Sequence, residues 1–267
     1  MVFVFLKTKF LNNFSKTRHI NCMKKNVIWK ILIYFIFYSI CGFLLETIFA
    51  AITKRTIESR QSFLYGPFCI VYGIGAIALI FALNKHKDNI LKLFVFGMIV
   101  GCIVEYFTSY IGELIMHIKW WDYSNAFLNI DGRTCLFYAI CWGILTVPLI
   151  KYLNPIVDNY IEKIISKISL QKLKIATLFI VIFMCFDAVL SVYALDNFLN
   201  RVAKEKNINI VGIDEEKESS KIASKLFSDE KIMMTYPNML VVNDKNEIVQ
   251  LEKILSNVKN YYYKFEK

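Results

Sequence analysis

The chain is broken into apolar blocks about as long as a bilayer is thick, and nothing else in it constrains the fold as strongly. The blocks run over 27–50, 65–83, 93–111, 134–150 and 175–194. About 20 apolar residues, rising 1.5 Å each in a helix, match the roughly 30 Å hydrocarbon core of a membrane. Inside lipid every backbone amide must be satisfied within the chain, so such blocks are helices. Of the 267 residues, 56% are hydrophobic, which is more than a soluble domain carries. The reading is an all-α, polytopic transmembrane helical bundle of about five spans. A basic extension (1–26) precedes the transmembrane part (27–194), and a polar C-terminal tail (195–267) follows it.

The net charge of +10 does not point to nucleic acid. The Lys and Arg excess sits in short segments beside the apolar blocks, where the positive-inside rule places it. With the N-terminus cytoplasmic, the inner segments 1–26, 84–92 and 151–174 hold 14 Lys and Arg, while the outer loops 53–64 and 112–133 hold 5. The sequence therefore predicts a multi-pass protein of a cell membrane, N-terminus inside. Five spans then put the tail outside. Lys30 and Lys151 lie near span ends, where such side chains snorkel. Met23, followed by Lys24 and Lys25, is the expected true start.

The tail has 12 basic and 12 acidic residues and two amphipathic stretches, 215–228 and 246–262, around a turn at 236–239. It reads as short helices with too little apolar content for a large core. Segment 154–174 is the one long inner loop. In it Ile156, Ile161, Ile164, Ile165 and Ile168 recur at helical spacing against Asp158, Glu162, Lys163 and Lys167. This predicts an amphipathic helix on the membrane surface or against a partner.

Carboxylates within the blocks are costly and so informative. There are three: Glu46, Glu105 and Asp187. Glu46 follows Gly42 by four residues. In the third block Gly97, Gly101, Glu105 and Ser109 share a helix face, and the small residues permit close helix approach. Asp187 and Ser191 pair likewise in the fifth block. After each Gly-x-x-x-Glu comes a Gly-x-x-Cys opening the next block: Gly66 to Cys69, and Gly132 to Cys135. Arg60 and Arg133 stand near these motifs. The pattern suggests a duplicated helical hairpin plus a fifth span, with the two arginines closing over the two glutamates from outside. The loop with Trp121, Asp122 and Tyr123 reads as an interfacial anchor or a ligand-facing lid.

Other chemistry is missing from the sequence. No GxxxxGK[ST] is present, so no ATP is bound through a P-loop. GxSxG, HExxH and paired CxxC patterns are also absent, and the three histidines are scattered. No metal, cofactor or nucleophile is expected, and an enzyme is disfavoured.

Several stretches carry a family resemblance. They are FLYGPFCIVYGIGA (63–76), GxxxEYxTS (101–109), WWDYSNAFLNIDGRTCL (120–136) and CWG (141–143). Together they resemble the bacterial family called Putative ABC-transporter type IV, or CmpB-like ABC transporter permeases. YSICGFLLE (38–46) is similar to that family's first span, with Phe43 where Trp is frequent. TYPNM (235–239) looks like a tail motif of the family. The matching positions include Glu46, Tyr65, Gly66, Pro67, Glu105, Tyr106, Trp121, Asp122, Tyr123, Gly132, Arg133, Cys135 and Gly143. The resemblance implies a permease subunit served by a separate ATPase chain, and it brings no substrate or catalytic residue with it.

The residues themselves leave three functions open. The first is a permease subunit, as a homo- or hetero-oligomer in the bilayer, with an ATPase docking on 154–174. The others are a membrane sensor or assembly factor, and an intramembrane enzyme acting on a lipid head group. The candidate polar pocket or substrate path comprises Glu46, Glu105, Tyr106, Asp187, Arg60, Arg133, Tyr65, Trp121, Asp122 and Tyr123.

Overall fold

Every apolar block becomes helical, but the helices do not stop where the blocks do. The computed structural model describes residues 27–213, 221–251, 255 and 263–264. The basic extension 1–26 and the expected start at Met23 lie outside them. The spans are α1 (Val27–Lys54), α2 (Ile70–Leu83), α3 (Ile90–Met116), α4 (Leu136–Pro148) with its continuation α5 (Asn154–Ile168), and α6 (Leu170–Lys206). Among the described residues, four helices are long and apolar enough to cross a membrane, counting Leu136–Ile168 as one. The fold is the expected polytopic helical bundle.

The block at 65–83 is only partly helical. Its 14-residue helix rises about 21 Å, short of the hydrocarbon thickness. An irregular lead-in, 62–69, covers the rest. Backbone outside a helix is tolerated at membrane depth only where its polar groups are satisfied. Here Leu64 N–H donates to Ser191 Oγ at 2.9 Å, and Tyr65 N–H to the Asp187 carboxylate at 3.0 Å. Cys69 N–H donates to the Ser39 carbonyl at 2.9 Å.

The fourth span is longer than its block. Pro148 lacks an N–H and cannot continue the regular ladder. A π-turn over Leu149–Leu153 absorbs the defect, and α5 continues from it. The combined 33 residues rise about 50 Å, so the last dozen project beyond the ~30 Å core. The segment expected as an amphipathic helix on the membrane surface or against a partner is thus the C-terminal end of a span-length helix. Asp158 is half-buried and held from the bundle side: it takes an ion pair from Lys30 at 2.6 Å and a hydrogen bond from Tyr34. Lys30 is accordingly buried instead of snorkelling. Val157 and Ile161 are buried with this pair, while Ile156, Ile164 and Ile168 of the predicted apolar stripe are exposed. Satisfying one buried charge pair turned the helix.

α6 shows two characters along 37 residues. Its membrane half leaves Phe179 73% and Val189 68% exposed, a face for lipid. Its C-terminal end is covered: Leu195, Phe198 and Leu199 are fully buried. Apart from the short β1 (Thr56–Ile57) after α1, the cover is the tail, with α7 (Lys221–Leu226), α8 (Asp229–Thr235) and an antiparallel pair β2 (Leu240–Val242) and β3 (Ile248–Gln250). Ile232, Met233, Val241 and Leu251 join Phe63, Met116, Ile118 and the end of α6 in one core. The expectation of a tail without a substantial core is corrected here. The tail's own apolar residues are few, but α6 and the two neighbouring loops complete the set. Part of the 246–262 stretch, expected as helix, is strand β3; its Ile248-Val249 pair suits a pleated, half-buried surface. The tail packs on the side of loops 55–69 and 117–135, opposite the turn at 84–89.

Candidate functional site

Between the tail-facing halves of α1 to α4 and the tail lies a cavity of roughly 970 Å³. Its floor is helix, brought close by glycine. A Cβ on Gly42 would stand 2.3 Å from Tyr72 Cβ, and one on Gly101 would stand 2.3 Å from Trp142 Cβ. The small residues noted in the sequence therefore do set helix approach. They also turn Tyr72 and Trp142 against one another, ring centroids 5.6 Å apart.

Glu46 and Glu105 both line this cavity. The Tyr72 hydroxyl donates to Glu46 at 2.5 Å. Glu105 is 5% exposed. It accepts from Thr134 Oγ1 at 2.7 Å, with the Tyr123 hydroxyl at 3.5 Å. Neither carboxylate has a cationic partner within 4 Å among the described residues. The expected arginine closure is corrected. Arg60 pairs with Glu58 at 2.8 Å, and Arg133 with Glu113 at 2.6 Å. Both arginines belong to the loops 55–69 and 117–135, whose own acidic neighbours are closer at hand than a carboxylate sunk in the bundle.

The loop 117–135 forms one wall. Gly132 holds φ +64, and a Cβ there would meet Asp122 Oδ1 at 2.3 Å. This tight turn lets Tyr123 N–H reach the Gly132 carbonyl at 2.7 Å. Trp121 Nε1 donates to the Arg133 carbonyl at 2.8 Å. Fixed in this way, Trp121 stacks on Tyr123 and Tyr123 on Tyr138, the second pair 4.4 Å apart. Burial, and next the Glu105 charge, push the Tyr123 phenol up, so it remains a donor at physiological pH.

The tail closes the far side. Asn238 Nδ2 donates to Glu58 Oε2 at 2.7 Å, and Lys54 Nζ donates to Asn238 Oδ1 at 2.9 Å. Thr56 Oγ1 donates to Glu58 Oε1 at 2.6 Å. Burial alone would raise the Glu58 carboxyl; the hydrogen bonds from Thr56 and Asn238 and the charges of Arg60 and Lys54 outweigh it and hold that carboxyl below the usual range. Leu240 and Lys119 exchange backbone hydrogen bonds at 2.8 and 3.0 Å. The turn 236–240 thus ties the tail to both loops, 55–69 and 117–135.

Of the sequence-predicted residues, the cavity gathers Glu46, Glu105, Arg60, Trp121, Asp122 and Tyr123. Four lie elsewhere. Asp187 serves the backbone of the lead-in, as described above. Tyr65 accepts from Lys231 Nζ at 2.7 Å on the tail, Tyr106 donates to Asp131 at 2.7 Å, and Arg133 lies over the Tyr110 ring. Sequence reasoning missed Tyr72, Tyr138 and Trp142. The two tyrosines had a signal: each stands three residues after the cysteine of a Gly-x-x-Cys. Among the described residues, no group of three or more His, Cys, Asp or Glu is placed to hold a metal ion.

Fold and cavity together define a multi-pass helical membrane protein with a polar, aromatic-walled compartment under a tail domain. Residues 33–192 match the sequence model of the family described as Putative ABC-transporter type IV, and the chain belongs to that family. No curated protein and no solved structure matches the chain.

Proposed function

We propose that the chain is the membrane permease subunit of an ABC-type transporter and that the cavity between its two hairpins is the substrate compartment. The observation that carries this reading is the cavity itself, with Glu46 and Glu105 in its wall. Intramembrane carboxylates without a cationic partner are expensive to keep, and they commonly mark substrate or ion paths. Family membership supplies the class.

The remaining features are assigned on this reading. The protein resides in a bacterial plasma membrane with the N-terminus cytoplasmic and the tail domain, 195–267, outside. The ATPase is a separate chain, because the sequence contains no P-loop. It docks at the inner end, where α5 leaves Ile156, Tyr160 and Ile164 exposed in one row. Residues 27–194 form the transmembrane unit, and two or more subunits assemble.

Affinity purification of the full chain from native membranes tests the proposal. The expected result is a co-purifying ATP-hydrolysing subunit that is lost when Ile156 and Tyr160 are replaced by Asp. A chain that purifies without any such subunit, in gentle detergent and in nanodiscs alike, would overturn it.

A further inference from the structure

We infer, on the reading that this cavity receives the substrate, that its ligand is an organic cation of the ammonium type. Three observations converge.

The first is charge. The cavity wall holds Glu46, Glu105 and Asp122 against Lys54 and Arg60. Both cations are already engaged by Glu58, at 3.5 and 2.8 Å. Among the described residues, Glu46 and Glu105 receive hydrogen bonds only from hydroxyl groups, those of Tyr72, Thr134 and Tyr123. A hydroxyl stabilises a carboxylate but does not neutralise it. In a low-dielectric setting such groups attract a positive charge strongly. Counted with Glu58, four carboxylates stand against these two cations, so an anion would meet an excess of negative charge.

The second is the kind of surface beside the carboxylates. Trp121, Tyr123 and Tyr138 form a continuous stack, and Tyr72 lies against Trp142. Indole and phenol faces carry negative potential and attract ammonium groups, by about 0.5–2 kcal/mol per contact. An inorganic cation needs oxygen ligands close together, whereas an alkylated ammonium needs faces and distributed charge.

The third is size. At roughly 970 Å³ the compartment lies at the upper end of small-molecule sites. That is far more room than a bare ion fills, and no three-ligand cluster for a metal is present among the described residues.

The test uses the full chain in nanodiscs of a zwitterionic lipid and three probes of one shape: choline, 3,3-dimethyl-1-butanol and 3,3-dimethylbutyrate. They carry a positive, a zero and a negative charge. Titration is followed by intrinsic tryptophan fluorescence and by calorimetry. Choline is expected to bind saturably and about tenfold or more tighter than either of the others. Glu46→Gln and Glu105→Gln, which preserve shape and hydrogen bonding, should each weaken choline about tenfold. If the alcohol or the carboxylate binds as tightly as choline, the cation class is overturned while the compartment as a binding site stands. If none of the probes saturates, the inference falls, and the permease reading still rests on its own ATPase test. Should a Glu→Gln variant fail to fold, the selectivity of the unmodified protein among the three probes decides alone.

Discussion

The two hairpins, α1 with α2 and α3 with α4, use the same sequence device and pack it differently. Gly66 and Gly132 both hold positive φ, at +78 and +64. Cys69 and Cys135 are both extended residues that start a short helix of 14 or 13 residues. Up to that point the repeat seen in the sequence is local structure. Beyond it the pair diverges. Gly42 packs on Tyr72, three residues past its cysteine, but Gly101 packs on Trp142, seven past. The register differs by one helical turn. The partners of the glutamates differ too: Tyr72 lies within α2, whereas Thr134 precedes α4. The first lead-in leans on Asp187 and Ser191 of α6; the second is held by its own loop. The shared motif thus sets the chain reversal and keeps a carboxylate near it, while the contacting side chains choose the register.

The largest expected effects strike what the hairpins share. Gly42→Ala and Gly101→Ala each place a methyl 2.3 Å from a partner Cβ. Trimming the aromatic ring cannot relieve such a clash, so the helices must separate. Overpacking of this kind costs about 1–3 kcal/mol. Thermal unfolding in detergent should show comparable losses for the two variants. A marked loss for one alone would mean that the hairpins do not contribute alike to the bundle.

A somewhat smaller effect should separate them. Asp187→Ala removes the acceptor of Tyr65 N–H and leaves a part-buried donor unpaired, at about 1 kcal/mol. Hydrogen exchange should rise over 62–69 and stay unchanged over 130–136. Equal increases in both segments would show that α6 supports the two lead-ins alike.

The sequence made the helices legible because lipid leaves no alternative to them, and made Glu46 and Glu105 legible because a carboxylate there is costly. It did not reveal the arginine pairings. The pattern places Arg60 and Arg133 over the glutamates, but Glu58 and Glu113 are available in or beside the same loops, and a one-dimensional pattern does not rank competing partners. Asp187 looked like a member of the pocket for a similar reason. Its polarity was visible, whereas the unpaired amide it serves exists only once the second block is seen to start as irregular chain. The tail core escaped notice because half of it comes from α6 and the loops. Asn238 was flagged only as part of a turn.

Asn238→Ala tests how the tail is held over the first hairpin. It removes hydrogen bonds to Glu58 and Lys54 but leaves Glu58 with Thr56 and Arg60. The expected loss is about 1 kcal/mol. It should appear as faster proteolysis in the tail with the transition of the transmembrane helices unmoved. The tail is also bound to the second hairpin's loop through Lys119 and Leu240, so partial retention of protection is expected. Full release would mean that the first hairpin alone holds it.

The smallest effect is a pH dependence confined to that same clamp. The Glu58 carboxyl is held below its ordinary value of 4.5 in the folded chain. A group depressed on folding adds stability above its unfolded pKa and loses it as pH falls through the folded one. The clamp should therefore be unaffected at neutral pH and weaken only below about pH 4.5. Proteolytic release of the tail on acidification should follow this course, and Glu58→Gln, which cannot ionise, should flatten it. The second hairpin makes its tail contact through backbone groups, which do not titrate, so protection around 119 and 240 should outlast the acid step. Loss of both contacts at one pH would show that the tail leaves as a unit and that the difference between the hairpins does not extend to how they hold it.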